Sequence, residues 1–594
     1  MDSNIHPSPW SILVKQRKMA SSQTSRLAHV PKELLEDRLL NDSISHLLPA
    51  TYNFEIHKTI HHLRHFQSKR VALQMPEGLT MFATAIADII SLYTDAEPII
   101  MGDVTYGACC IDDYTARALG CDFLVHYAHS CLVPLEQTGG IRTLYVFVEI
   151  SIDVEHLARS IRYNFPSDAN AFQELIRRTE PGASSASGPK VDVVLEEAPG
   201  SNLQASASQR RTHLALVGTV QFINVLAPLK EVLEQELDIN SSLLTTGLHG
   251  EGRKQITWSG SQDREDDDDL EQSLGSKYDK GAYKLTIPQI RPLSPGEILG
   301  CTSPSLESGA IQDEESIDAI LYLGDGRFHL ESAMIANPHI RAYFRFDPYS
   351  RKFEREGYDH TRMRMGRAKA VAEARRSLDR NMESSVTRKN PNSPGRNEAW
   401  GLVLGTLGRQ GSVKVLSHLR TLLQQNARSA SHPHVPILLS ELSPAKLALF
   451  NPAAQDTVAR RTNLAAFVQT SCPRLSIDWG EAFERPLLSP YEAALALGAP
   501  NTLRKSPADG TQNALADWEI TTIQTKTSQM TGEGRYPMDF YADNSLGPWT
   551  PRHGMGVRQR KTEEGTSGKA GGAAAVLKEL RKKRAAKQVQ ALVA

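Results

Sequence analysis

The sequence predicts an α/β protein built from three tandem copies of one parallel-sheet domain, arranged around a pseudo-threefold axis and separated by polar insertions. Short β-branched apolar runs alternate with helical patterns, which is typical of βαβ units. Three segments open in the same way, with a buried strand, a tight turn and an amphipathic helix. Two of the copies also share an L-S-P motif. Chance similarity among generic α/β units is the alternative interpretation.

The repeated elements follow in chain order. The opening strands and turns lie at 70–78, 213–221 and 400–411, and apolar residues three or four apart follow each of them, as Ile86 and Ile90 do in the first copy. The L-S-P motif occupies 293–298 and 442–447, after the predicted second strands. Third strands are predicted at 123–127, 319–323 and 465–468. Each copy therefore reads as a small sheet with helices on its faces.

Composition shifts mark the boundaries of these copies. Segments rich in small, polar, Pro and Gly residues cannot bury enough apolar surface to fold on their own. The predicted organisation is an N-terminal extension 1–50, a first domain 51–180, a flexible insertion 181–212, a second domain 213–380 with an acidic insertion 250–279, a linker 381–397, a third domain 398–555 with a polar insertion 502–534, and a basic tail 556–594.

Two charged segments need separate interpretation. The run 265–269 reads Glu-Asp-Asp-Asp-Asp, for which a self-repelling solvated loop is favoured over metal binding. The tail contains the basic stretch 577–584, which is typical of a solvated chain end, with contact to RNA or an acidic partner as the alternative.

Global charge excludes several function classes. The 594 residues carry 67 basic and 68 acidic side chains, a net charge of −1, so charge gives no argument for nucleic-acid or membrane binding. No run of 18 apolar residues occurs, and the N-terminus lacks the apolar core of a signal peptide. We therefore expect a cytoplasmic protein without membrane or direct nucleic-acid contacts.

The six cysteines are too few for a disulfide scaffold, and no C-x-x-C pair occurs. Buried apolar filling is their simplest role. Yet Cys109, Cys301 and Cys472 each lie in a loop after a predicted strand of a different copy. Ligands gather at the carboxyl ends of parallel strands, and packing around a pseudo-threefold axis would bring these thiols together.

Three convergent thiolates suit two kinds of metal site. Zinc would need a fourth ligand, which a nearby Cys or His usually supplies. A [4Fe–4S] cluster held by three cysteines leaves one iron free to bind a substrate, as in enzymes that reduce S-adenosylmethionine. The short C-x-x-x-C-x-x-C loop that most of those enzymes use is excluded by the spacing here.

Two glycine-rich turns are candidate anion-binding loops. Gly324, Asp325, Gly326 and Arg327 follow a predicted strand, and Gly405 and Gly408 precede a helix. Glycines at such turns let backbone N–H groups approach an anionic ligand, although neither loop matches a P-loop or a full dinucleotide fingerprint. Plain turns are the alternative.

Several long motifs occur in order along the chain. They are GDVTYGACCIDD around Cys109, LSPGEILGCTSP around Cys301, LGDGRFHLES, LGTLGRQGS, SCPRLSIDWG around Cys472, and YPMDFY at 536–541. Through these motifs the chain resembles the catalytic subunit family of eukaryotic diphthamide synthase. The resemblance extends from about residue 51 to 549, apart from the polar insertions. It is specific because these motifs are long and occur in a fixed order.

The resemblance implies a three-domain transferase that holds one [4Fe–4S] cluster through Cys109, Cys301 and Cys472. Cys110 makes the first ligand ambiguous by one residue, whereas Cys121 and Cys131 match no ligand position. The family moves a 3-amino-3-carboxypropyl group from S-adenosylmethionine to imidazole C2 of a histidine in translation elongation factor 2, by a radical mechanism.

The resemblance further implies a heterodimer with a homologous second subunit, and electrons delivered by a small metal-binding protein and its reductase. The glycine turns at 324–327, 405 and 408 are then candidate S-adenosylmethionine loops. Two other functions remain open at this point: a non-catalytic partner subunit with a relay cluster, and a zinc-stabilised binding scaffold.

Overall fold

A computed structural model describes residues 30–178, 210–236, 279–306, 316–386, 398–424, 432–451, 464–497, 504–505, 512–513 and 536–551, apart from 104, 134, 136, 137, 544 and 546–548. The predicted acidic run, the basic tail, and most of the extension, linker and insertions lie outside these ranges. Within them, no helix combines the length and apolar composition that a bilayer crossing needs.

The first sheet has four parallel strands in the order β3-β2-β4-β5, and a two-stranded antiparallel ladder joins β1 to β6. Its strands are β1 Tyr52–Asn53, β2 Arg70–Gln74, β3 Glu97–Met101, β4 Phe123–Tyr127, β5 Arg142–Val146 and β6 Glu149–Ile150. The helices of this region are Lys32–Leu35, Arg38–Leu47, Ile56–His65, Ala83–Tyr93 and Asp113–Ala118.

The second sheet repeats this strand order and adds an antiparallel edge strand, giving β8-β7-β9-β10-β11. Its strands are β7 His213–Gly218, β8 Lys284–Thr286, β9 Ala319–Leu323, β10 Ala342–Asp347 and β11 Lys352–Glu356. Its helices are Val154–Asn164, Ala169–Arg178, Ile223–Leu233 and Phe328–Ala336. All residues of β7 and β9 are buried, as expected for parallel strands covered on both faces.

The third sheet has the order β13-β12-β14-β15, again all parallel. Its strands are β12 Ala399–Gly405, β13 His434–Leu439, β14 Leu464–Gln469 and β15 Leu487–Leu488, and the short strands β16 Arg504–Lys505 and β17 Gln512–Asn513 pair separately. Its helices are His360–Val386, Val413–Gln424, Pro444–Ala448, Pro473–Trp479 and Pro490–Leu497.

The three sheets share the strand order second, first, third, fourth, which confirms the predicted repetition of one α/β domain. In this order the chain leaves the first and third strands in opposite directions, so a crevice opens between their carboxyl ends. The three crevices are the expected places for ligands.

The helices that come before the first strand of each sheet pack on that sheet. Residues 30–50, predicted as an extension, place Leu40 in the core of the first sheet. The helices over 154–178 place Leu157 and Phe172 in the core of the second sheet. The helix His360–Val386 covers the third, where Trp400 Nε1 donates to Ser377 Oγ at 2.9 Å. Each structural repeat therefore begins with the helices before its first strand.

Candidate functional site

The first cysteine loop connects β3 to the helix Asp113–Ala118. Cys109 lies in a short 3-10 turn, Ala108–Cys110, and the Asp112 side chain caps the helix by accepting from Thr115 N. At the end of β2, the Gln74 amide donates to Cys110 O at 2.9 Å and accepts from Asp112 N at 3.1 Å. A buried glutamine at the sheet's crevice therefore fixes the loop that carries Cys109.

The second cysteine loop follows β8 and is anchored to the end of β7. Gly218 N donates to Gly296 O at 2.8 Å, and Ile298 N donates to Gly218 O at 3.1 Å. Cys301 is 8% exposed, and its carbonyl accepts from Phe540 N at 3.4 Å. Residues of the YPMDFY motif thus cover the Cys301 loop.

The third cysteine follows β14 directly and begins the helix Pro473–Trp479. The Gln469 amide donates to Cys472 O at 2.9 Å and accepts from Ser471 N at 2.8 Å. Gln469 therefore fixes the loop of Cys472 through backbone hydrogen bonds, as Gln74 fixes the first cysteine loop. In both domains a buried amide at a strand end satisfies backbone groups that the turn leaves without partners.

The structure brings the three predicted thiols together. Cys301 hydrogen-bonds Cys472, an interaction that raises the pKa of Cys301 and lowers that of Cys472. A hydrogen bond with Cys110, then burial and the charges of Cys301 and Cys472, raise the pKa of Cys109. Tyr541 lies within hydrogen-bonding reach of Cys109 and near all three sulfurs. Three thiolates this close repel one another, and a bound cation would stabilise them.

An ion pair fastens the first cysteine loop to the third domain. Arg409 donates to Asp113 through two hydrogen bonds of 2.7 and 2.6 Å, and Arg409 N donates to Cys109 O at 2.9 Å. The Arg409 guanidinium also lies 4.2 Å from the centre of the Tyr114 ring. The position of Cys109 therefore depends on a residue of another domain.

Arg474 fastens the second and third domains together beside the thiols. It is 2% exposed and donates to Gly300 O at 3.3 Å and to Phe328 O at 2.7 Å. It also pairs with Asp478, at 2.9 Å, and with Glu331. Because Gly300 precedes Cys301 and Arg474 lies two residues after Cys472, one guanidinium holds both loops in place.

A third contact closes the ring of domains. Ser130, in the loop after β4, donates to the buried carboxyl group of Glu297, which also accepts from Ser294 N at 2.9 Å. Each of the three domains therefore contacts the other two near the cysteines, as the expected pseudo-threefold arrangement requires.

The other cysteines lie in different surroundings. The Cys110 thiol is fully buried and accepts from Gln410 Nε2 at 3.1 Å, and a hydrogen bond from Cys109 lowers its pKa to about 7. Cys121 lies in an apolar cluster of the first sheet, and Cys131 is exposed.

Other parts of the protein lie close against most of the glycine turns. A Cβ at Gly405 would lie 2.0 Å from Ser471 Oγ, and one at Gly408, where φ is +53°, would lie 2.4 Å from Cys110 O. Gly408 therefore lets the third domain approach the first closely, whereas Gly405 lets two loops of the third domain approach each other. In the other turn Gly324 is buried, whereas Asp325, Gly326 and Arg327 are exposed, with Arg327 bonded to Glu331 at 2.7 Å.

Sequence reasoning missed several residues of the site. Tyr541 lies in a motif that carried the resemblance, but no pattern assigned it to the thiols. Gln74, Gln469, Arg409 and Arg474 act through non-local contacts, for which spacing gives no signal. A polar residue at the end of an otherwise apolar strand, as at Gln74 and Gln469, is the one local feature that marks such positions.

The donor set fits an iron–sulfur cluster better than a lone ion. Within the described ranges, no three His, Cys, Asp or Glu side chains are arranged to hold a single metal ion. Cys301 is hydrogen-bonded to Cys472 and Cys109 to Cys110, and ligation would require deprotonation of the three ligand thiols. Three sulfur donors that come from three domains match the ligand chemistry of iron–sulfur clusters.

Comparison with known proteins agrees with this arrangement. The family profile described as "Putative diphthamide synthesis protein" matches residues 75–175 and 266–506. The chain is 41% identical to 2-(3-amino-3-carboxypropyl)histidine synthase subunit 1 from Gallus gallus, over 91% of this chain and 92% of that protein. The Homo sapiens protein of the same name is 40% identical, over 89% and 84% of the two chains.

Among solved structures, that of Dph2 from Pyrococcus horikoshii with a 4Fe-4S cluster matches with a TM-score of 0.45 and 19% identity, covering 75% of this chain and 91% of that one. The expectation of an enzyme of the diphthamide pathway is confirmed by the two synthase relatives. On the family match and on this identity over most of its length, the chain belongs to the diphthamide synthesis protein family.

Proposed function

We propose that this chain is the catalytic subunit of a diphthamide synthase and carries out the first step of diphthamide biosynthesis. In that step a 3-amino-3-carboxypropyl group moves from S-adenosylmethionine to imidazole C2 of a histidine in translation elongation factor 2. The observation that carries the proposal is the meeting of Cys109, Cys301 and Cys472 from three domains. It supports a cluster site in a family whose relatives are named for this product.

Cys109, Cys301 and Cys472 would hold a [4Fe–4S] cluster, which when bound supplies the low-potential electron needed to break a sulfonium C–S bond. The transfer is redox-neutral overall. The bond between sulfur and the γ-carbon of the methionine moiety breaks, and a carbon–carbon bond to imidazole C2 forms. 5′-Methylthioadenosine leaves, and the C2 proton is lost.

The protein's own residues position the reactants and exclude water. Arg409 and Arg474 fix the loops of all three thiols before any cofactor binds, so little ordering is left to occur during assembly. The Arg474 guanidinium also places positive charge beside Cys301 and Cys472, which favours their thiolate forms. Tyr541 and the buried Cys301 loop shield the sulfurs from solvent.

Three partners belong to this proposal. A homologous second subunit would form a heterodimer with the chain, and a small metal-binding protein with its reductase would deliver electrons. Translation elongation factor 2 would be the protein substrate. We place the enzyme in the cytoplasm.

Two measurements on anaerobically purified protein test the proposal. Iron and acid-labile sulfide should be present in equal amounts, whereas zinc in their place would reject redox chemistry. After dithionite reduction of the heterodimer with S-adenosylmethionine and elongation factor 2, chromatography should show 5′-methylthioadenosine, and the factor's histidine should gain mass. 5′-Deoxyadenosine without that gain would reject the reaction. A cluster-containing chain that catalyses no transfer in the complete heterodimer would be a relay subunit.

A further inference from the structure

Cys110 is a buried thiol that the proposed reaction does not use, although it lies next to a proposed cluster ligand. It is fully buried, and its backbone is fixed on both sides. Cys110 N donates to Gly107 O at 2.9 Å, and Cys110 O accepts from the Gln74 amide at 2.9 Å. The sulfur can therefore move only by rotation about the Cα–Cβ bond of Cys110.

Two side chains form hydrogen bonds with the Cys110 sulfur. Gln410 Nε2 donates to Cys110 Sγ at 3.1 Å. The same sulfur shares a hydrogen bond with the thiol of Cys109. A chain of hydrogen bonds therefore leads from an amide of the third domain, through Cys110, to the sulfur of a proposed ligand in the first domain.

A glycine turn brings Gln410 to this position. A Cβ at Gly408 would lie 2.4 Å from Cys110 O, so any larger residue would push the turn away from the cysteine loop. Arg409 N, between Gly408 and Gln410, donates to Cys109 O at 2.9 Å. The turn therefore holds the backbone of the cysteine loop and places the Gln410 amide on the Cys110 sulfur.

Ligation would fix the direction of these hydrogen bonds. A cysteine bound to iron is a thiolate and carries no proton. The hydrogen atom between the two sulfurs must then belong to Cys110, which becomes the donor to Cys109. The Gln410 nitrogen has only N–H groups and continues to donate to Cys110. Both donors therefore point toward the ligand sulfur.

We infer that Cys110, held by Gln410, raises the reduction potential of the cluster through a hydrogen bond to the ligand sulfur of Cys109. Such a bond stabilises the additional negative charge of the reduced cluster, and hydrogen bonds to the sulfurs are among the features that set cluster potentials. Burial of Cys110 strengthens the bond, because no water competes for it.

Cys110 is then a positioning residue that acts through Cys109, and it is not itself a ligand. The inference rests on the proposed function, since it assumes a cluster bound to Cys109, Cys301 and Cys472. It also gives the glycine turn at 405–411 a role other than binding an anion.

Redox titration of the full-length, anaerobically purified chain, followed by electron paramagnetic resonance of the reduced cluster, tests the inference. Cys110→Ala removes the donor, so the cluster should become about fivefold harder to reduce, which is about 40 mV toward negative potential for one electron. Cys110→Ser keeps a hydroxyl donor and should restore most of the wild-type potential. Gln410→Leu should shift the potential in the same direction by less, because Cys110 remains but loses its partner.

Cys121→Ala is the matched control. It removes another buried thiol of the first domain, one that packs among apolar residues, and should leave the potential unchanged. Iron and sulfide analysis and thermal melting check that each variant folds and holds its cluster. Equal potentials in wild type and Cys110→Ala would overturn the inference alone. If Cys110→Ala holds no cluster, Gln410→Leu decides the question, and a wild-type potential in that variant would overturn the inference.

Two further outcomes are distinct from these. Loss of the cluster from Cys110→Ala together with its retention in Cys109→Ala would make Cys110 the ligand, which also overturns the inference. A wild-type chain that contains no iron and sulfide after anaerobic purification would instead reject the proposed function.

Discussion

Arg409 and Asp113 form a two-bond ion pair across 296 residues of chain, joining the third domain to the helix that follows Cys109 and Cys110. Asp113 is fully buried, whereas the Arg409 side chain is 19% exposed. The same arginine holds the carbonyl of Cys109 through its backbone. The pair therefore acts on stability and on the position of a proposed ligand at once.

Asp113→Asn should lower the stability of the fold and loosen the hold on the loop that carries Cys109. Removing one partner from a buried ion pair costs about 3–5 kcal/mol, and the partial exposure of Arg409 reduces the expected loss of unfolding free energy to about 2 kcal/mol. Iron and sulfide bound per chain should fall as well. Urea unfolding and metal analysis measure these effects. Glu398→Gln, in the exposed pair with Arg380, is the matched control and should change stability by less than about 0.5 kcal/mol. Equal iron content in wild type and Asp113→Asn would show that the pair does not position Cys109.

Cluster retention should depend on three cysteines and not on two others. Alanine at Cys109, Cys301 or Cys472 should remove the brown colour of the anaerobic protein, because a lost thiolate exposes a second iron. Cys121→Ala and Cys131→Ala are controls of the same chemistry and should stay coloured, since one thiol packs among apolar residues and the other is exposed. Visible absorption and iron analysis distinguish the outcomes. A coloured Cys472→Ala protein would overturn the ligand assignment.

Buried histidines should make the fold sensitive to acid. Burial lowers the pKa of His432 to about 4, and burial is also the largest cause of the same value at His129, His329 and His360. An unfolded histidine titrates near 6.5, so between pH 6.5 and 4 the unfolded chain binds more protons than the folded one. The stability that these neutral, buried histidines contribute is therefore fully present above about pH 6.5, and it is lost as the pH falls toward 4.

His432→Asn tests this pH dependence away from the cysteines. The variant should lose up to about 1.4 kcal/mol per pH unit from the slope of unfolding free energy in that window. Urea unfolding at several pH values measures the slope. The control is His46→Asn, which changes an exposed histidine and should keep the wild-type slope. Identical slopes for His432→Asn and wild type would show that His432 does not titrate on unfolding.

Sequence patterns predicted the sheets well because their signals are local. The strands at 123–127 and 319–323 have the predicted bounds, since each is a continuous apolar run in a buried parallel sheet. The third strand of the last copy extends one residue further at each end, to Leu464–Gln469. Its polar end residue, Gln469, looked like a loop in sequence but pairs within the sheet and binds Cys472.

Contacts between residues far apart in the chain could not be predicted from local sequence patterns. The helices over 154–178 show amphipathic faces in sequence, but only packing decides that Phe172 joins the second sheet and not the first. The contacts of Arg409 and Arg474 cross between domains for the same reason. The positions of the thiol loops were predictable, whereas the side chains that hold those loops together were not.

Arg162 links the chain segments on either side of residues 237–278, which contain most of the predicted acidic insertion. Its guanidinium donates to Gln235 O at 2.6 Å and to Gly281 O at 2.6 Å, and also to Asp279 O at 3.2 Å. The chain before residue 237 and the chain after residue 278 are therefore held within the reach of one side chain. Shortening the connection should leave its anchor points unchanged.

Deleting residues 251–276 should therefore leave the melting temperature within about 2 °C of the full-length value, because closing a shorter loop changes the free energy by well under 1 kcal/mol. Cluster content should also be unchanged. Scanning calorimetry and iron analysis measure both effects. As a comparison, Arg162→Met keeps much of the apolar stem but removes four backbone hydrogen bonds, and it should lower the melting temperature clearly in the deleted and the full-length chains. An insoluble deletion protein, or one that does not copurify with the proposed second subunit when the full-length chain does, would show that the acidic segment stabilises the fold or the complex.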